Sequence, residues 1–130
     1  SSDLLRLLFG DAEAAIADLL SQKDRIVVIK DGSRGASVYT RREAFSMGAY
    51  PATEVDPTGA GDCFDATFLA MLVAGGDLRT AARYAGAAGA KAAEGRGPME
   101  GNTYRREIEA FMRETPAVAE TTLESPYRAI

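Results

Sequence analysis

Apolar and polar positions change their spacing several times along this chain, and each change marks a predicted element. Leu4, Leu5, Leu7 and Leu8 follow Ser2 and Asp3, either of which can cap a short helix that stops near Gly10. Asp11 then caps a second helix, predicted to reach about Gln22, in which Ala15, Ile16, Leu19 and Leu20 recur at helical intervals. Taken alone, both read as amphipathic helices and nothing more. Ile26 to Ile29 is a β-branched run between charges, which predicts a strand buried on both faces of a mainly parallel sheet. Lys30 to Gly35 turns the chain, Ala36 to Thr40 alternates as a returning strand, and Glu43 to Met47 suits another.

The second half reads as helix. Phe64 to Ala74 is hydrophobic almost all round, which predicts a buried helix of roughly three turns. Gly75-Gly76 breaks it, and Asp77 can cap the next helix, from Leu78 to about Ala93. That helix is rich in alanine and carries Gly86 and Gly89, so a backbone can approach it closely, either from a neighbouring helix or from a flat ligand. A turn-rich loop with Gly95, Gly97 and Gly101 follows, then a helix from Tyr104 to about Glu114 with Ile108, Phe111 and Met112 as its apolar stripe. Residues 1–115 are expected to form the folded part. The tail, 116–130, holds prolines at 116 and 126 with little periodicity, and is expected to be extended or partly ordered. It could clamp onto a neighbour, which leaves a homodimer open.

The stretch around which the rest is organised is Val55-Asp56-Pro57-Thr58-Gly59-Ala60-Gly61-Asp62-Cys63-Phe64, where a glycine turn feeds the start of the apolar helix. Gly59 and Gly61 lack a Cβ, so the backbone there can take positive φ and approach a ligand. The first N–H groups of a helix have no intrahelical partner, and its dipole favours negative charge, so the junction suits a phosphate. Asp62, in the first turn, would stand beside that anion, where a carboxylate can accept a proton from an attacking hydroxyl. A polyphosphate cradle beside a base describes a kinase. The local alternative is that Thr58 or Asp62 caps the helix and the glycines only make a turn. Cys63 has two readings as well, a thiol activated at a helix N-terminus or a small buried residue.

Asp56-Pro57-Thr58-Gly59-Ala60-Gly61-Asp62 closely resembles the signature of the ribokinase (PfkB) family of carbohydrate kinases, and the resemblance runs from about Ser1 to Phe111. It implies an α/β fold, Rossmann-like and three-layered (α/β/α) in the ribokinase manner, of which this chain is the C-terminal portion only. A missing N-terminal half of the same enzyme would then supply most sugar contacts and a β-lid. By the same resemblance Asp62 is the catalytic base, and the N–H groups of Gly59, Ala60, Gly61 and Asp62 form the anion hole. The turn after the first strand resembles the family's second ATP contact, which makes Lys30, Gly32, Ser33 and Gly35 candidate ATP-binding positions. Those residues alone describe a hairpin turn with solvated charges equally well. Gly86 falls where the family contacts adenine, offering a surface without a side chain. Relatives bind a potassium-type cation between the glycine loop and the signature, and the matching positions are Asp56, Thr58, Ala92, Gly95, Gly97 and Gly101. Gly101 stands where some relatives place a serine oxygen. Mg²⁺ would ride on the nucleotide, since it keeps several waters and takes few protein ligands.

Composition narrows the remaining classes. With 130 residues, 46% hydrophobic and 26% charged, the chain suits one soluble domain. A net charge of −4 argues against nucleic acid or an anionic membrane as the main partner. One cysteine and no histidine exclude an intrachain disulfide framework and imidazole catalysis by this chain, and point to a reducing, cytoplasmic setting. No signal peptide is expected, and no apolar run comes near the roughly 20 residues of a membrane span. The start, Ser1-Ser2-Asp3 without an initiator methionine, is expected of a piece of a longer protein. The leading expectation is ATP-dependent phosphorylation of a sugar hydroxyl, on a ketohexose or keto-sugar acid, with the isolated piece inactive. The alternatives are a nucleoside or vitamin-precursor kinase of the same superfold, or a non-catalytic nucleotide-binding module if the 130 residues are complete.

Overall fold

Val27–Lys30 (β1), Ala36–Tyr39 (β2) and Ala44–Met47 (β3) are four residues each, too short to stand alone, and they are stabilised by pairing in sequence order. The computed structural model describes residues 12–23, 25–31, 34–51, 59–94, 101–115 and 118–127. The chain divides into two units, Ser1–Gly48 with Ala119–Ile130, and Ala49–Val118.

In the first unit, cross-strand partners put Val28, Val38 and Phe45 in one row, and Val38 and Phe45 are fully buried. Thr40 Oγ1 accepts the N–H groups of Arg42 and Glu43, closing the β2–β3 turn. A helix, Ala12–Gln22 (α1), turns Ile16 and Leu20 into the core. Arg41 Nε donates to the Leu20 carbonyl at 2.7 Å, one of the acceptors that a helix C-terminus leaves without an intrahelical donor. The tail contributes Glu120–Leu123 (β4), antiparallel to β3, and Gly48 N–H extends that ladder to the Ala119 carbonyl. Beyond it Ser125 Oγ donates to the Thr40 carbonyl, and the Arg41 guanidinium lies 4.8 Å from the centre of the Tyr127 ring.

β1 departs from the sequence expectation. Val27, Val28 and Ile29 are half-buried rather than enclosed, Ile26 is 42% exposed, and all four described strands are antiparallel. A β-branched run signals an apolar, pleated environment but not the direction of its partner. β1 also stands at the end of the strand order, with β2 as its partner among the described residues.

The second unit is helical: Ala60–Val73 (α2), Leu78–Ala93 (α3) and Gly101–Glu114 (α4). α2 ends in a Schellman arrangement, Gly75 N–H to the Leu72 carbonyl and Gly76 N–H to the Met71 carbonyl, with Gly75 at φ 92°. Asp77 caps α3 by accepting the Thr80 N–H at 2.7 Å, as expected. α2 packs on the alanine-rich face of α3, burying Phe64, Thr67, Phe68 and Met71 from the one and Ala81, Ala82, Ala85 and Ala88 from the other. Tyr50, Ala87, Ile108 and Phe111 form a second cluster, in which the Tyr50 and Phe111 rings tilt at 59° with centroids 5.9 Å apart. α4 starts three residues earlier than its periodicity suggested, because its first turn, Gly101-Asn102-Thr103, reads as loop in sequence. α2 is also less enclosed than its composition implied: Leu69 is 62% exposed and Val73 88%. No helix among the described residues is long and apolar enough to cross a membrane. The short helix expected over Leu4 to Leu8 lies outside the described residues.

Candidate active site

The start of α2 is set by Gly59, whose φ of 83° lies in the left-handed region that side chains with a Cβ avoid. A Cβ there would meet nothing within 4 Å, so glycine answers to backbone conformation and not to crowding. The helical ladder opens with Cys63 N–H donating to the Gly59 carbonyl at 2.9 Å, and no described side chain caps this end. Asp62 therefore does not act as a capping residue. Its carboxylate is exposed in the first turn, at the rim of a groove of about 540 Å³ that runs along α2.

Gly89 of α3 lies beneath this helix start. A Cβ on Gly89 would sit 3.4 Å from the Ala60 carbonyl oxygen and 3.7 Å from Phe64 Cβ, which is ordinary contact, so the two helices already approach to within a methyl group there. The small-residue face of α3 thus serves helix packing at Gly89. At Gly86 an added Cβ would touch the Tyr50 ring at 3.5 Å, so this position also lies under a side chain of its own unit.

Cys63 is not an activated thiol. Burial first, and then the neighbouring Asp62 charge, push its pKa above the ordinary thiol value. Tyr84 and Arg105 also line the groove. Tyr84 OH donates to Glu109 Oε2 at 2.8 Å, and the Arg105 guanidinium lies 5.7 Å from the Tyr84 ring centre. Burial, and then the Glu109 carboxylate, raise the Tyr84 pKa, so the phenol stays a donor. Lys91 Nζ, nearly enclosed, meets Glu107 Oε2 at 3.2 Å and ties α3 to α4. A charge pattern at helical spacing carries no sign that one lysine is turned inward.

In the sheet unit, Lys30 ends β1 exposed, and Gly35 takes φ 96° to close the turn, with Asp31 N–H to the Gly35 carbonyl at 2.8 Å and Arg34 N–H to the Asp31 carbonyl at 2.9 Å. A cavity of about 350 Å³ lies beside it, lined in part by Asp31, Arg34, Gly35, Ser37 and Ser46. Gly32 and Ser33 lie outside the described residues, as do Asp56, Thr58, Gly95 and Gly97. Of the positions matched to a monovalent cation, Ala92 is in the last turn of α3 and Gly101 opens α4. Among the described residues no three His, Cys, Asp or Glu side chains gather to hold a metal ion.

Residues 5–104 match the family described as pfkB family carbohydrate kinase. The chain belongs to that family. It is 38% identical over 91 residues to the ATP-dependent ribose-1-phosphate kinase of Halopiger xanaduensis, a match that covers 70% of this chain and 30% of the relative. It is 39% identical over 80 residues to a 5-dehydro-2-deoxygluconokinase of Listeria monocytogenes, covering 61% and 25%. Among solved structures, a protein described as ribokinase II from E. coli, in complex with ATP and Mg²⁺, superposes with a TM-score of 0.76 at 44% identity, over 85% of this chain and 36% of that one. The fold is accordingly the ribokinase-type α/β fold. This family member spans roughly a third or less of the length of these relatives.

Proposed function

We propose that this chain is the nucleotide-binding and catalytic portion of a kinase that transfers the γ-phosphoryl group of ATP to a sugar hydroxyl. The observation that carries the reading is the start of α2, entered through a left-handed glycine and flanked by one exposed carboxylate. Its first N–H groups, those of Gly59, Ala60, Gly61 and Asp62, would receive the oxygens of the transferring phosphoryl group, where charge shifts as the bond to the β-phosphate breaks. Asp62 would take the proton of the sugar hydroxyl as its oxygen bonds to phosphorus, leaving ADP, a sugar phosphate and a protonated carboxyl that solvent then relieves. By the family resemblance Lys30, Gly32, Ser33 and Gly35 would contact ATP, and Gly86, beside the Tyr50 ring, would do so through backbone alone. Mg²⁺, when bound with the nucleotide, supplies charge neutralisation to the phosphates. The positive end of the α2 dipole would suit such a complex, and the protein would reach the metal mostly through water. A potassium ion held by Asp56, Thr58, Ala92, Gly95, Gly97 and Gly101 would lie beside the anion hole and away from the sugar.

For the substrate, the names of relatives support a sugar or sugar derivative, and a ketohexose or keto-sugar acid remains the preferred class. Selection of that sugar would fall to the portion of the domain beyond these residues. In the full-length enzyme Asp62→Asn is expected to lower kcat by about 10³-fold with the Kd for ATP nearly unchanged, since a base acts on the transition state. Undiminished turnover would remove Asp62 from the chemistry. The 130-residue chain alone is expected to bind ATP weakly and to phosphorylate none of a panel of ketoses and keto-acids.

A further inference from the structure

The sheet unit carries a polar feature that phosphoryl transfer at Asp62 does not use. Ile29, Ser37, Ser46 and Thr121 are aligned across β1 to β4 in one row, and strand alternation places all four on the same face. Hydroxyls opposite each other on neighbouring strands can bond one another. Among the described residues, however, the side chains of Ser37, Ser46 and Thr121 make no hydrogen bond with the chain. They line a cavity of about 350 Å³ instead, built wholly within this unit and in the size range of small-molecule sites.

The rest of the lining narrows the ligand. Ile16 and Ile29 give apolar surface, and Tyr39 adds an aromatic ring. Asp31 and Arg34, 3.9 Å apart and exposed, offer acceptors and donors whose charges cancel, so the cavity holds no net charge to attract an ion. Neighbouring strands stand roughly 5 Å apart, so the row presents its hydroxyls at an interval close to that between hydroxyl groups on alternate carbons of a sugar ring. Thr121 belongs to β4, beyond the residues 5–104 that match the family, so part of the wall comes from outside the matched segment.

We propose that this cavity binds a neutral monosaccharide that is not the one phosphorylated, held by the hydroxyls of Ser37, Ser46 and Thr121 with the Asp31–Arg34 pair beside them. The site shares no residue with the start of α2 and does not depend on the kinase reading.

Titrating D-fructose, D-glucose and D-ribose separately into the ¹⁵N-labelled chain tests it. At least one is expected to bind with a Kd of about 1 mM and to shift the amides of Ile29, Ser37, Ser46 and Thr121 while those of Gly59 to Asp62 stay in place. Ser46→Ala with Thr121→Val is expected to weaken that binding at least about 10-fold, two hydrogen bonds being lost. Ser37→Ala alone is expected to weaken it about threefold, and it decides the matter if the double variant loses the amide dispersion of the parent. No shift with any of the three sugars at about 100 mM, a hundred times the expected Kd, overturns the proposal. Affinity unchanged in the variants overturns it too. So does displacement of the sugar by ATP with Mg²⁺, since the cavity would then be part of the nucleotide site, and so does tighter binding of inorganic phosphate than of every sugar, since the lining would then select an anion.

Discussion

Two helices of the same unit begin in opposite ways. α3 starts at a side chain, Asp77, which accepts the Thr80 N–H at 2.7 Å and so satisfies one of the donors that a helix start leaves over. α2 starts at a left-handed glycine with no described side chain on its donors, although Asp62 is close by in sequence and could have been recruited. A helix whose only task is structural is served by the first arrangement. The second sets a left-handed glycine and an exposed carboxylate at the helix start, which suits an arriving anion with a proton acceptor beside it.

The sharpest way to break this contrast compares the two ends of α2. Gly59 and Gly75 have φ of 83° and 92°, and a Cβ on either would meet nothing within 4 Å. Alanine at either position should therefore cost a similar ~1–2 kcal/mol of backbone strain. On the proposed mechanism, only Gly59→Ala should also lower kcat/KM of the full-length enzyme, by about 10²-fold, because it would disturb the donors proposed to meet the phosphoryl group. Equal kinetic losses at the two ends would make the start of α2 merely structural.

The next effect belongs to α3 as a strut. Glu107→Ala leaves the Lys91 ammonium, only 5% exposed, without its carboxylate, and is expected to lower stability by about 1–3 kcal/mol in urea unfolding. Lys91→Met fills nearly the same space without a charge and should cost less than ~1.5 kcal/mol. The reverse order would mean that the ion pair, and not the burial of an uncompensated charge, sets the energy.

The smallest effect tests the cap itself. Its bond to the Thr80 N–H holds the Asp77 carboxyl below its usual range. A group whose folded pKa is depressed contributes stability above its unfolded pKa and loses it as pH falls through the folded value. Asp77→Ala should thus lower Tm slightly near neutrality, and the difference from the parent should shrink in acid. A gap that widens in acid would show that the cap is not the source.

The helices of the second unit were legible because their signals are local. Gly75-Gly76 stops one helix, Asp77 starts the next, and the Ile108 stripe marks the buried side of the last. The position of Asp62 in a first turn was equally readable from the glycines before it. What could not be read depends on partners remote in sequence. Glu120-Thr121-Thr122-Leu123 has little apolar pattern and becomes a strand because β3 offers it an edge. Arg41 looks like surface charge until the end of α1 and Tyr127 come to it. β1 and α2 were read as enclosed because their compositions are those of enclosed elements, and within this chain the structure leaves each partly bare. The same limit holds at the site, where Gly89 showed only as one small residue among many and not as the one beneath the start of α2.

The central claim is that triphosphate oxygens are received by the backbone where Gly59 hands over to α2. Titrating ATP with Mg²⁺ into the ¹⁵N-labelled chain and following the amide resonances tests it most directly. The largest shifts are expected at Gly59, Ala60, Gly61 and Asp62, with pyrophosphate reproducing them and adenosine not. Shifts that spare these four amides while ATP demonstrably binds elsewhere on the chain would contradict the account.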